Sequence, residues 1–151
     1  MEIPVEPQEV LARFEAIGTA DELPEVIVRA FVDIWESPRS GPQMRALLRR
    51  ALEDPERFGA LVDFLSTAAV EPVSARLEGL SPQQARLRLT LVASHLLGTV
   101  VIRGLMGVEP PAGLDAERLV ELLEPAIRAD LALGAPPKDG HRARPEDDRG
   151  R

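Results

Sequence analysis

Apolar residues recur three and four positions apart in nearly every segment of the chain, and no stretch alternates for long between apolar and polar. That is the pattern of amphipathic helices, not of strands. Pro4, Pro7, Pro24, Pro38, Pro42, Pro55, Pro82, Pro110 and Pro111 sit mostly at the edges of these segments, where proline opens or ends a helix. The spacing predicts an all-α fold, an antiparallel bundle of about six helices.

The first predicted helix covers residues 7–17 and ends at Gly18. Asp21 is suited to N-cap a second, whose inward stripe is Leu23, Ile27, Ala30, Phe31 and Ile34 and which stops before Pro38. Ser40 begins a third, carrying Met44, Leu47, Leu48, Ala51 and Leu52 to the break at Asp54 and Pro55. The fourth is expected over residues 55–77 with Phe58, Leu61, Val62, Leu65, Ala68 and Ala69 as its apolar face. Pro72 should kink it or restart it, because the ring removes a hydrogen bond and crowds the preceding turn. Ser81 caps a fifth, long helix with Pro82 at its first position, reaching about Met106. Asp115 caps a sixth, which holds Leu119, Leu122, Leu123, Ala126, Ile127 and Leu131 and runs through Pro125 towards Leu133. Residues 1–134 are read as one domain, and 135–151, made of Pro, Gly and charge, as a disordered tail.

The fifth helix contains the least usual stretch, LVASHLLGTVVIRGLMG at residues 91–107. It lies at the short limit for crossing a bilayer and carries His95 and Arg103, so a membrane span is not expected. On a helical projection Leu87, Leu91, Ser94, Gly98, Ile102 and Leu105 line one side, while Leu89, Val92, Leu96, Val100 and Met106 fall on others. A helix apolar all round must be covered all round, and a second copy of the chain is the economical cover. The breadth of the sixth helix points the same way. The expected seam of a homodimer is Leu91, Ser94, Gly98 and Ile102 with Leu119, Leu122, Leu123 and Ile127.

Charge narrows the partners. The chain carries a net charge of −7, and removing the mixed-sign tail leaves 13 Lys/Arg against 21 Asp/Glu in residues 1–134. A surface of that sign is the opposite of what phosphate neutralisation requires, so this part is not expected to bind nucleic acid alone. The absence of cysteine excludes disulfides, thiolate zinc sites and thiol nucleophiles. The N-terminal MEIPVEPQEV has neither a basic n-region nor an apolar h-region, which predicts a cytoplasmic protein.

Candidate chemistry is thin. His95 has no second histidine at i+3 or i+4, so no metal site is expected, and the favoured reading is a hydrogen-bonded histidine in a core or interface. Ser94 is not its nucleophile partner, since adjacent helical residues diverge by about 100°. Arg103 reads as a helix-end residue that pairs with an acid, and Gly104 with Gly107 marks the end of the helix. Glu121 with Glu124, and Asp54 with Glu56, read as solvated faces and caps. No glycine-rich phosphate loop, GxSxG or HExxH occurs, so neither an enzyme nor a cofactor is expected. Helical bundles place ligands between their helices, and the candidate cavity residues are Trp35 and Phe31, one turn apart, with Phe64, His95 and Thr99.

FVDIWESPRSGP at residues 31–42 and LLGTVVIRGLMGVEP at 96–110, with LDAERLVELLEPAIRADL from Leu114, resemble the C-terminal regulatory domain of the TetR/AcrR family of bacterial transcriptional repressors. The resemblance covers most of residues 3–133. It implies a homodimer formed by the fifth and sixth helices and a pocket for a small-molecule effector enclosed by the second to fifth. Ligand occupancy would then shift the spacing of two N-terminal DNA-reading heads. MEIPVEP begins near where such a head hands over to the regulatory domain, so this chain is expected not to bind an operator by itself. A standalone helical module that pairs with a full-length regulator is the alternative. Gly104 departs from the pattern, since the subgroup often carries a bulky residue there.

Overall fold

The computed structural model describes residues 7–132, all of whose regular elements are helical. The expected charged tail, His141 within it and the domain boundary at residue 134 lie outside the described residues. In chain order the elements are α1 (Pro7–Glu15), α2 (Leu23–Glu36), α3 (Gly41–Glu53), α4 (Pro55–Leu65), α5 (Glu71–Ser74), α6 (Pro82–Val100) and α7 (Ala116–Ala132). Two π-helical turns, Ser66–Val70 and Val101–Leu105, join α4 to α5 and extend α6.

Local chemistry sets most boundaries. Ser81 and Gln84 form a capping box at the start of α6: the Gln84 backbone N–H donates to Ser81 Oγ at 3.2 Å and the Ser81 N–H to Gln84 Oε1 at 3.0 Å. Asp115 accepts from the Arg118 N–H at 2.8 Å ahead of α7, and Asp54 from the Glu56 N–H at 3.0 Å ahead of α4. Gly107, at φ 64°, closes the extended α6, and the following Val108 N–H returns to Ile102 O at 3.0 Å. Asp21 does not cap α2 as expected. It lies in a 3₁₀ turn, Ala20–Glu22, and pairs with Arg128 of α7 instead.

The expected fourth helix is two. Pro72 has no N–H to give and its ring crowds the carbonyl four residues earlier, and the π turn Ser66–Val70 widens the helix immediately before it. Three positions assigned inward by periodicity point out: Leu52 is 57% exposed, Phe58 45% and Val62 43%. In α4 the stripe that enters the core is Leu61, buried, with Phe64 and Leu65 partly buried. Phe58 and Val62 flank it on the solvent side.

α2 is the central element, burying Leu23, Ile27, Val28, Ala30, Val32 and Trp35. α7 lies against it antiparallel, since Arg128 reaches Asp21 at 2.5 Å while Arg29 reaches Glu117 at 3.1 Å, late residues of one helix meeting early ones of the other. Hydrogen bonds from Glu25 and then Glu117 hold the Arg29 guanidinium above its ordinary pKa. α6 and α7 are likewise antiparallel, through Arg88 to Leu131 O and Arg103 to Ala112 O just before α7. The core falls into two clusters. One joins Val28 and Ile27 to Leu89, Val92, Leu119 and Ile127; the other joins Trp35 to Met44, Leu47, Leu48, Leu61 and Val100, and Phe31 packs against both.

Candidate ligand cavity

Between the two clusters lies a cavity of about 140 Å³, walled by α2, α3, α4 and α6, with Phe14 of α1 and Val73 of α5 completing it. Helical spacing alone brings the α2 wall together, because Ile27, Phe31, Ile34 and Trp35 succeed one another at three and four residues and share a face. Leu61, Phe64 and Leu65 do the same from α4, and Leu89, Val92, Ala93, Leu96 and Leu97 from α6. Phe31 and Trp35 stack obliquely, ring centroids 5.8 Å apart at 42°. Every lining side chain is apolar or aromatic.

Of the five residues singled out in the sequence, Phe31, Trp35 and Phe64 line this cavity. Thr99 lines a separate crevice of about 20 Å³ on the far side of Phe31 and Trp35, together with Glu36, Arg45, Arg103 and Gly104. Its hydroxyl donates back to His95 O at 3.0 Å. His95 is not a cavity wall either. It stands on the flank of α6 that faces α7, where its Nδ1 lies 2.5 Å from Asp130 Oδ2. The expected hydrogen bond is present, but the imidazole is 57% exposed while the Asp130 side chain is 11% exposed, so this histidine is not packed into the core of its own chain.

The lining residues not anticipated, among them Phe14, Ile27, Leu61 and Val92, carry the same apolar periodicity as any core position. A cavity is what remains where facing side chains fail to meet, so no single residue type signals it.

The crevice beyond Trp35 explains Gly104. A Cβ there would lie 3.3 Å from Arg45 Cδ, and Arg45 crosses this point to donate from Nη1 to Trp35 O at 2.8 Å. A bulky residue at position 104 would displace that arginine. Gly41 is as constrained: its Cβ would stand 2.4 Å from the same Trp35 carbonyl oxygen.

The opposite side of α6 is open. Leu87 is 62% exposed, Leu91 39% and Ile102 40%, and Ser94 and Gly98 lie between them, with nothing within 4 Å of a Cβ on Gly98. The Ser94 hydroxyl is already satisfied by Thr90 O at 2.8 Å. On α7 Leu122 is 50% exposed and Leu123 is partly buried against the core. Leu119 and Ile127, expected in the same seam, are buried at 5% and 0% within the chain's own core, so they have no surface to offer a partner.

By length and composition the continuous helix Pro82–Leu105 is long and apolar enough to cross a membrane, a property it shares with core helices of soluble proteins. Here Ala85, Leu89, Val92, Leu96 and Val100 form its buried stripe. Among the described residues no group of three or more His, Asp or Glu side chains is placed to hold a metal ion.

A family model described as "Tetracyclin repressor-like, C-terminal domain" matches residues 21–131 of the 151. No curated protein and no solved structure matches the chain.

Proposed function

We propose, for a chain that belongs to the tetracyclin repressor-like C-terminal domain family, that it is the small-molecule-sensing and homodimerising part of a cytoplasmic bacterial repressor. Domains of this family generally dimerise and bind small-molecule effectors, and the regulators that carry them are soluble and are not enzymes. The effector site is the cavity between α2, α3, α4 and α6. The dimer contact is the open face of α6 with Leu122 of α7. DNA contact is not a role of these helices, whose excess of carboxylates opposes it.

One observation carries the reading: α6 lines the cavity with one face and presents an unpaired apolar stripe on the other. Val92, Ala93, Leu96 and Leu97 face inward, and Leu87, Leu91, Gly98 and Ile102 face outward. An occupant that fits one setting of α6 better than another shifts the population of that setting, and a partner on the outer face shares the shift. Ser94 and Gly98 keep the stripe flat enough for close approach, and the Ser94 hydroxyl would bring no unsatisfied donor into a contact.

Light scattering of the full chain at micromolar concentration tests the pairing. A dimer is expected, and a clean monomer near 16.5 kDa would overturn the role given to α6.

A further inference from the structure

We infer that the cavity takes a neutral, apolar molecule about the size of one substituted ring or a short hydrocarbon chain, and discriminates against charged ligands. This rests on the sensing role proposed above and specifies the ligand's chemistry. Among the side chains that line the cavity, the Trp35 indole N–H and the Met44 sulfur are the polar features; all others are hydrocarbon. The surrounding backbone belongs to helices, whose amides and carbonyls are spent on their own hydrogen bonds.

The nearest clustered charges, Glu36, Arg45 and Arg103, gather at the small crevice behind Phe31 and Trp35, and each is already engaged. Arg103 holds Glu36 through Nε at 3.2 Å and Nη2 at 3.1 Å, and Arg45 is bonded to Trp35 O. A carboxylate or ammonium entering the cavity would exchange water for hydrocarbon with no countercharge, a penalty that outweighs what its apolar part gains.

Size follows from volume. An apolar cavity of about 150 Å³ in an unrelated protein accommodates benzene, and the present one, at about 140 Å³, falls in that range. The oblique Phe31 and Trp35 rings, with Phe14 and Phe64 opposite, offer both faces and edges to an aromatic or alkyl guest. Met44, unbranched and polarisable, and Val70 at the end of the π turn are the adaptable parts of the wall.

The chain supplies its own reporter. Trp35 is the only tryptophan and there is no tyrosine, so intrinsic emission reads the cavity wall alone. The probes are n-propylbenzene and 3-phenylpropanoate, the latter adding a carboxylate to a similar alkylbenzene frame, each titrated at neutral pH into the full-length protein with emission and melting temperature followed. The hydrocarbon should perturb Trp35 saturably and raise the melting temperature, and the carboxylate should bind at least about 100-fold more weakly.

Ala93→Phe, which fills the cavity from α6, should abolish the hydrocarbon response while circular dichroism stays helical. Because the two wild-type titrations decide the matter by themselves, a variant that fails to fold does not blunt the test. Equal or tighter binding of the carboxylate overturns the neutral-ligand inference and leaves the sensing site standing. No response to either probe overturns the site and the inference together.

Discussion

Arg103 grips Glu36 with two parallel N–H donors, Nε to Oε1 at 3.2 Å and Nη2 to Oε2 at 3.1 Å, and so ties the π turn after α6 to the last residue of α2. Its third nitrogen, Nη1, donates to Pro111 O at 2.5 Å and Ala112 O at 3.1 Å, which fixes the link leading into α7. The arginine side chain is 11% exposed. Lysine can keep the charge but not the fork, so Arg103→Lys should lower stability by about 1–2 kcal/mol in urea denaturation. An unchanged midpoint would show that the pair is ornamental.

Gly98→Glu places a charge in the middle of the open α6 stripe, where a single chain has ample room for it. The monomer should melt as before, while the dimer Kd weakens by about 100-fold or more as two carboxylates meet across the two-fold axis. Sedimentation over a concentration series reads this, and an unaltered Kd would place Gly98 outside the contact.

Ile127 and Leu122 share α7, yet one is fully buried and the other 50% exposed. Under dilute, monomeric conditions Ile127→Ala should cost about 3 kcal/mol by leaving a hole in the core. Leu122→Ala should change stability by no more than about 0.5 kcal/mol. In association assays the order reverses, with Leu122→Ala the more damaging.

At Gly41 a methyl group would meet the Trp35 carbonyl oxygen at 2.4 Å, with backbone rather than a flexible side chain as the obstacle. Gly41→Ala should destabilise by about 2 kcal/mol or more, since either α3 must move or the Trp35 carbonyl must lose its Arg45 donor. Thermal melting checks it.

Phe64 and His95 separate the cavity from the outer surface of α6. Phe64→Ala enlarges the cavity and should alter the Trp35 response to n-propylbenzene, whereas His95→Ala, which acts on the Asp130 contact, should leave it unchanged. A response lost in His95→Ala would mean that the α6 and α7 flank is energetically joined to the cavity.

Features decided within one or two turns were legible in the sequence. Ser81 with Gln84, Asp115 and Asp54 act as the caps their residue types announce. Arg103 finds the acid its position called for, though which acid depended on a helix 67 residues away. What failed was whatever required counting past a change of helical register or choosing between two apolar neighbours. The breadth of the α7 stripe merged core and surface, so Leu119 and Ile127 were grouped with Leu122. His95 and Asp130 meet across 35 residues, and nothing local to either names the other. Trp35, Phe31 and Phe64 were found as cavity residues because aromatic side chains at the facing surfaces of a bundle are large enough to reach its middle. Thr99 and His95 were placed there by proximity in sequence, although their direction around the helix leads away.

The π turn at Val101–Leu105 gives the gene a reading-length constraint at this point. Bonds from i to i+5 spend one more residue per turn than those from i to i+4, so a single-codon deletion here would leave a regular helix of unbroken hydrogen bonding. Everything beyond the deletion would be turned by about 100°. If Val101 or Ile102 were lost, Arg103 would keep its identity and lose its bearing on Glu36. The number of residues in that turn is therefore under as strong a structural demand as the kind of residue that follows, and a tally of substitutions alone would miss it.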